Sequence, residues 1–401
     1  MNKININSFI LGAFFLLFAT YAYTIGGHNL KYTSLIIGFI FLIFSVNFFK
    51  STYYNPRFLF FSLFFFIINI FIAYFLDQET FDSLIIIFDF ICTIIFVCGY
   101  YLAKNLNSID SVKNYTKNII LIFIPLGFYY LLQFQAVSAI GGNTRVMDDD
   151  FLNTNGIAFV TAQTIILLRW LLFIEKKSIY KILLVLSIIL VSVNLIFTES
   201  RGALLYLLIV LGFSYGIKNY IKIKNIIYIS LFLYLAFSVI NSIEFFVVKI
   251  NSFYDRLLLG FNFIAEQSKS QVDPSLIERR EAIDSFLNNF DKIFFGLKNY
   301  QLYPHNQFLE IFMRWGVFGL PIFLISIISI LRSINIIKKK ITKNSLTFLI
   351  CTVFIFTYLQ SMTSLSLDNN RFLWLGFGFL IGLSKNNNEL ISHQSKKNQY
   401  V

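Results

Sequence analysis

The chain has 401 residues, of which 57% are hydrophobic and only 13% charged, and its formal net charge is +12. This composition excludes an ordinary soluble globular protein and is typical of a polytopic membrane protein. Three cysteines, all in apolar runs, have neither zinc-site spacing nor a disulfide framework, so we interpret them as apolar filler: Cys92, Cys98 and Cys351.

Apolar runs long enough to cross about 30 Å of hydrocarbon, which takes roughly 20 helical residues, recur along the chain. We therefore predict an all-α, polytopic helical bundle of about 12 transmembrane helices. The predicted spans are residues 8–25, 32–49, 58–76, 82–103, 118–135, 156–174, 179–198, 202–217, 225–248, 307–331, 345–366 and 371–384.

Lysine and arginine are distributed unevenly between the two sides of this predicted bundle. Alternate segments carry most of them, whereas the short loops on the other side hold only Lys31, Arg145, Arg201 and Arg371. Because positive charge marks the cytoplasmic side, we expect both termini in the cytoplasm. The net charge is thus a topology signal, and no nucleic-acid partner is expected.

The predicted organisation has four parts. Residues 1–248 form the first part of the transmembrane bundle, with about nine helices, and residues 249–306 form one large extracytoplasmic loop. Residues 307–384 form the second part of the bundle, with about three helices, and residues 385–401 form a cytoplasmic tail. A long loop of this kind is usually functional.

The first polar motif is Glu199-Ser-Arg-Gly-Ala203, at an outer hairpin between two predicted spans. Ser200 is a good N-cap residue, which puts Arg201 in the first helical turn. A cation there opposes the helix dipole, so helix stability does not explain it. A guanidinium beside free backbone N–H groups suits a phosphate or pyrophosphate. The alternative is that Arg201 pairs with Glu199 or extends to lipid headgroups.

The large loop contains an amphipathic helix of its own. Ser275-Leu-Ile-Glu278 reads as a capping box after Pro274. We expect Arg280 to lie within the apolar stripe of that helix and Arg279 at its edge. An ordinary solvated helix is the alternative for both arginines. The predicted stripe consists of Leu276, Ile283, Leu287 and Phe290.

The loop ends at Pro304-His305-Asn306, where a membrane helix is expected to begin with Asn306 as its N-cap. An unperturbed histidine has a pKa of about 6.5, so His305 suits proton transfer from a sugar hydroxyl, although a packing role is the alternative. Gly316 and Gly319 are expected to share its helix face and admit another helix closely.

Two further groups of charged residues have plainer interpretations. Glu310 and Arg314 are spaced four apart in the favourable order, and we expect them to pair inside the bundle. Asp148, Asp149 and Asp150 lack regular ligand spacing and read as a solvated loop rather than a metal site. No phosphate loop, nucleophile elbow or paired-Cys site occurs in the sequence, so neither a metal nor a cofactor is expected.

Taken in order, these motifs resemble a known family. His305-Asn306 followed by Gly316-x-x-Gly319 resembles the His-Asn…Gly-x-x-Gly signature of the O-antigen polymerase and O-antigen ligase family. Ser200-Arg-Gly-Ala203 resembles its Ser-Arg-Gly-Ala stretch, and Phe294-Phe-Gly296 with Tyr303-Pro-His-Asn resembles its approach to the histidine.

Two further matches extend the resemblance to about residues 145–320. The family's arginine before that glycine corresponds best to Arg279 and second to Arg280. Arg145 with Phe151-Leu-Asn-Thr-Asn155-Gly is similar to an earlier outer-loop motif, a weaker match.

The resemblance implies metal-independent glycosyl transfer at the outer face of the bacterial inner membrane, from an oligosaccharide on undecaprenyl pyrophosphate. It implies that His305 is the base or orients the acceptor hydroxyl, with Arg279 or Arg280 and Arg201 on the pyrophosphate. Further contacts to substrate are expected from Ser200, Arg145, Asn155, Asn306 and Tyr303. Membrane lipid is an expected partner, and the resemblance also allows a chain-length regulator.

The acceptor separates the alternatives. A polymerase joins one lipid-linked repeat unit to another, whereas a ligase transfers the glycan to lipid A-core or to a protein. Polymerase is favoured here because no feature of the chain indicates a site for a protein acceptor. A flippase for lipid-linked sugars is the less favoured alternative, because half-repeats are not evident and the distinctive residues cluster at one predicted face.

Overall fold

A computed structural model gives the structure of the chain. It describes residues 24–25, 28–29, 92–97, 99–100, 103, 154–198, 200–215, 254, 274–288, 290, 294, 296, 306–338, 346–363, 370 and 372–383. These residues are helical apart from short connections and one minimal antiparallel pairing of Thr24–Ile25 with His28–Asn29. The predicted helical class therefore agrees with the described part of the chain.

The chain divides into two compact units. One unit comprises Met1–Thr20, Leu30–Tyr115 and Glu281–Val401, and the other comprises Tyr21–Asn29 and Thr116–Arg280. We call them the C-terminal unit and the central unit, after the chain segments that supply most of their described residues.

Three helices form the described part of the central unit: α1 (Thr154–Ile174), α2 (Ser178–Phe197) and α3 (Arg201–Tyr215). Helix α1 packs against both others. Its buried side is lined by Phe159, Ile166 and Trp170, each at most 1% exposed. These three helices match the predicted spans 156–174, 179–198 and 202–217 to within two residues at each end.

Polar contacts occur at the connection between α1 and α2 and between α1 and α3. The buried carboxylate of Glu175, between α1 and α2, accepts the backbone N–H groups of Lys176 at 2.9 Å and Lys177 at 3.2 Å. The guanidinium of Arg169 lies 4.9 Å from the ring centroid of Tyr215, which joins α1 to α3 by a cation–π contact.

Helix α4 (Pro274–Asn288) begins in the central unit and ends in the C-terminal unit. Then follow α5 (Gln307–Trp315), a 3-10 turn (Gly316–Gly319), α6 (Leu320–Lys338), α7 (Leu346–Ser361) and α8 (Phe372–Leu383).

Helix α8 packs against the backbone of the helical residues 92–100. A methyl group on Gly378 would meet the carbonyl oxygen of Phe96, and one on Gly99 would meet that of Leu375. Glycine at these positions lets two helices approach until their backbones touch. Cys92 and Cys351 are buried, and Cys98 lies outside the described residues.

Two of the described helical stretches are long and apolar enough to cross a membrane, namely Ser178–Ile196 and Gln307–Lys338. Only 28% of each apolar window is buried, whereas the core helix of a soluble protein would be mostly buried. On α6 the exposed residues recur along one face at Leu320, Leu324, Ile328 and Leu331. Such a surface is unfavourable in water and favourable in hydrocarbon.

The predicted span 307–331 is not one continuous helix. Helix α5 ends at Trp315, and Gly316 has φ 54° and ψ −135°, which is outside the helical region. The interruption also corrects the prediction that Gly316 and Gly319 lie on the face of His305 and admit another helix. A methyl group on Gly319 would instead meet Ile311, in the segment just before the turn, because the chain folds back there.

The predicted apolar stripe of α4 is also corrected. Ala282 and Phe286 are buried, whereas Ile283, Leu287 and Phe290 are 42%, 60% and 66% exposed. Phe286 packs against Met313, with Leu309 and Phe312 around them. The buried face is thus the one bearing Ala282 and Phe286, of which Phe286 meets α5 at Met313. Leu276 lies outside the residues whose side chains are described.

Substituting Gly296 should destabilise the fold, because its φ of 86° disfavours any other residue and a Cβ would lie 2.5 Å from the carbonyl oxygen of Arg314. We expect Gly296→Ala to lower the free energy of unfolding by about 1–3 kcal/mol. Gly202→Ala is the matched control, since its Cβ would meet only Tyr206, at 3.6 Å. Thermal unfolding in detergent measures both, and equal stability of the two variants would contradict the described turn.

Candidate functional site

The start of α5 has the cap that the sequence predicts. Asn306 has extended backbone geometry, and its side-chain oxygen accepts the N–H groups of Phe308 at 2.9 Å and Leu309 at 3.3 Å. Two of the N–H groups that lack helical partners are thereby satisfied. The predicted N-cap is confirmed, and it fixes where the helix begins.

The next residue, Gln307, is the centre of a buried polar network. Its Nε2 donates to the Oγ of Ser326 at 3.2 Å, and its Oε1 accepts from the Oγ of Ser361 at 2.7 Å. Ser326 Oγ lies 3.4 Å from the hydroxyl of Tyr358. One glutamine therefore joins α5 to both α6 and α7, in a region from which water is excluded.

Aromatic rings surround this network. The ring of Phe308 lies 5.1 Å from that of Phe323 and 6.3 Å from that of Tyr358, both edge to face. These geometries are the favourable ones for aromatic pairs. They pack the first turn of α5 firmly against its two neighbours.

One turn further along α5, Glu310 and Arg314 form the predicted pair. The Nη2 of Arg314 lies 2.7 Å from the Oε1 of Glu310, whose side chain is fully buried, while that of Arg314 is 11% exposed. The prediction of pairing inside the bundle is confirmed. Because Glu310 neutralises it, the charge of Arg314 is not available to an anionic ligand.

In the central unit, Ser200 and Arg201 also lie where the sequence places them. Helix α3 begins at Arg201, and the carbonyl of Ser200 accepts the N–H of Leu204 at 3.2 Å. Ser200 is buried and Arg201 is partly exposed. The guanidinium thus belongs to the first residue of an apolar helix, at its positive end.

The two arginines of α4 differ in their surroundings. Arg279 is half-buried and shares a helix face with Ala282 and Phe286, which are buried, whereas Arg280 is exposed. The sequence had placed Arg280 on the apolar face and Arg279 at its edge. The structure reverses their burial, because the face that packs is the one bearing Ala282.

Several predicted site residues fall outside the part of the chain whose side chains the structure describes. His305, Tyr303 and Arg145 lie outside the described residues, as does the acidic run at 148–150. Asn155 is the second residue of α1, and its side chain is not described. Among the described residues, Ser200, Arg201, Arg279 and Arg280 fall in the central unit and Asn306 in the other.

Sequence reasoning missed the polar residues that the structure gathers at the start of α5 and the end of α7. Gln307 and Ser361 sit at opposite ends of two apolar runs, so their bond could not be read from local spacing. The available signal was their presence near the ends of predicted spans, where polar groups are rare and usually have partners. Within the described ranges, no three His, Cys, Asp or Glu side chains are grouped so as to hold a metal ion.

Comparison of the chain with protein-family models, with curated proteins and with solved structures found no match.

Removing the hydroxyl of Ser361 should destabilise the fold, because the amide oxygen of Gln307 then loses a buried donor. We expect Ser361→Ala to cost about 1–3 kcal/mol. Ser329→Ala is the matched control, since Ser329 is equally buried on α6 and its hydroxyl has no partner. The Ser329→Ala variant should unfold at or above the wild-type temperature. A Ser361→Ala protein as stable as the Ser329→Ala protein would show that the network contributes nothing.

Proposed function

We propose that this chain is a polytopic inner-membrane glycosyltransferase that polymerises lipid-linked oligosaccharide repeat units at the outer face of the membrane. The twelve predicted spans, the cytoplasmic termini and the large outer loop with its amphipathic helix form the framework of this proposal. Its support from the fold is that two described stretches are long and apolar enough to span a membrane, with apolar surfaces left exposed.

The observation that carries the proposal is the position of Arg201. It is the first residue of an apolar helix, partly exposed, with Ser200 at the cap position. A cation at a helix N-terminus opposes the helix dipole, so helix stability does not explain its position. A pyrophosphate would accept hydrogen bonds from both the guanidinium and backbone N–H groups of the first turn.

Arg279 is the better candidate for the second cation. It shares the packed face of α4, whereas Arg280 is exposed to solvent. A partly desolvated guanidinium interacts more strongly with a phosphate than a solvated one. We therefore assign pyrophosphate binding to Arg201 and Arg279, with Arg280 in a peripheral position.

The proposed reaction is a displacement at the anomeric carbon of the donor sugar. The acceptor hydroxyl attacks this carbon, a new glycosidic C–O bond forms, and the bond to the pyrophosphate oxygen breaks. His305 takes the hydroxyl proton, and undecaprenyl pyrophosphate leaves with its charge stabilised by the arginines. In-line displacement inverts the anomeric configuration. Asn306, Tyr303, Arg145 and Asn155 complete the proposed glycan contacts.

A ligase, which transfers the glycan to lipid A-core or a protein, uses the same donor and the same residues. A transporter of lipid-linked sugars is a second candidate class, and two features of the structure favour it. The helix interruption at residues 316–319 and the buried polar groups around Gln307 are features that transporters place near their substrates. A polymerase and a ligase form different covalent products from the same donor, whereas a transporter forms none.

The decisive experiment incubates the purified full-length protein with lipid-linked repeat units, with and without lipid A-core. A ladder of lipid-linked products indicates a polymerase, a shift of lipid A-core indicates a ligase, and no covalent product indicates neither. We expect a ladder, and we expect His305→Ala to abolish it while the protein still inserts correctly. A full ladder from that variant would remove the histidine from the mechanism.

The two arginines of α4 should behave differently in the same assay. We expect Arg279→Ala to lower the rate of transfer by about 100-fold or more, the typical loss for one positioned donor to a developing negative charge. Arg280→Ala is the matched control on the adjacent, exposed position, and should retain most of the activity. Arg279→Lys should not restore it, because an ammonium lacks the bidentate geometry. The reverse order of the two alanine variants would contradict this assignment.

A further inference from the structure

Gln360 presents a buried amide that the fold does not use. It lies near the C-terminus of α7 with its side chain fully buried, and neither its Nε2 nor its Oε1 has a hydrogen-bond partner. Burying an amide without partners is unfavourable, and an apolar residue of the same size would be more stable there. Folding alone therefore does not account for a glutamine at this position.

A second unsatisfied amide lies at the same end of α7. Asn370 is fully buried, and its Nδ2 donates to the carbonyl oxygen of Thr357 at 3.0 Å. Its Oδ1 has no partner. Thr357 is one turn before Gln360 on the same side of the helix. The unpaired groups are thus two N–H donors and an acceptor on Gln360, with a further acceptor on Asn370.

These groups adjoin the network at the start of α5. Ser361 follows Gln360 directly and donates to Gln307, which lies two residues after His305 in the chain. Gln307, Tyr358, Gln360, Ser361 and Asn370 are all uncharged. The nearest charges on α5, those of Glu310 and Arg314, are paired with each other. An uncharged ligand that both donates and accepts hydrogen bonds fits this set.

We propose that Gln360 and Asn370 bind an uncharged hydroxyl or acetamido group of the saccharide and so select the sugar that is positioned for transfer. This rests on the proposed function, because it assumes that a glycan is the substrate. An acetamido group is complementary to the glutamine amide, since each presents one N–H and one carbonyl to the other. A carboxylated sugar is disfavoured, because no cation in the set would compensate its charge.

The binding groups lie directly below the surface. Helix α7 ends at Ser361, and the turn residues Met362 and Thr363 are partly exposed, as is Asn306 at the start of α5. Binding requires a rearrangement of this one turn, because the amide of Gln360 is closed off in the structure described here.

The test compares Gln360→Met with Gln163→Met in the full-length protein in detergent. Gln163 on α1 is the matched control, because it is also buried and its amide nitrogen also has no partner. Thermal unfolding is measured alone and with millimolar N-acetylglucosamine, glucose or glucuronate. Transfer of lipid-linked repeat units is measured separately, as KM and kcat.

We expect Gln360→Met to unfold at or above the wild-type temperature without sugar. N-acetylglucosamine or glucose should raise the unfolding temperature of wild type and of Gln163→Met by about 2 °C, but not that of Gln360→Met, and glucuronate should raise none. In the transfer assay, Gln360→Met should raise KM about tenfold, the effect of losing roughly one hydrogen bond, with kcat little changed.

The outcomes separate this inference from the proposed function. Stabilisation by a neutral sugar that depends on Gln360, in a protein without transfer activity, would support the binding site and contradict the glycosyltransferase. Active transfer with a KM that Gln360→Met leaves unchanged would support the glycosyltransferase and contradict the binding site. A wild type that neither neutral sugar stabilises would overturn the inference. A Gln360→Met variant that unfolds several degrees below the wild-type temperature would also overturn the inference, since the amide would then be a structural group.

Discussion

Buried polar groups need hydrogen-bond partners, and this requirement fixes the start of α5 and its packing against α6 and α7. Asn306 satisfies two backbone N–H groups, and the amide of Gln307 bonds to Ser326 and Ser361. Because an unpaired amide is so unfavourable in an apolar bundle, these bonds specify which turns of α6 and α7 meet α5. They also fix the helix start that directly follows His305, the residue proposed as the base.

The interruption of the helix after Trp315 is the second constraint. Gly316 and Gly296 both have positive φ, and Gly296 lies against the backbone of Arg314, so the chain before α5 packs on the last turn of α5. Phe286 packs against Met313 in the same region. The end of α4 and Gly296 thus both pack against the C-terminal half of α5.

Much of this could be predicted from local sequence. Apolar runs gave the bounds of α1, α2 and α3 to within two residues, since run length and flanking polar residues are local properties. Capping chemistry placed Asn306, and helical spacing paired Glu310 with Arg314. The prediction of which face of α4 is buried was wrong, because burial depends on where a neighbouring helix packs. The helix break was missed because Gly316 is equally compatible with a continuous apolar helix.

The sequence by itself determined the helical class, the apolar runs, the start of α3 at Arg201 and the N-cap of α5 at Asn306, because these follow from hydrophobicity and capping within a few residues. Only the tertiary structure decided which polar side chains meet. Gln307 and Ser361 are far apart in the chain, and no local rule pairs them. It likewise decided that Gln360 is buried without a partner, since that depends on every atom packed around it.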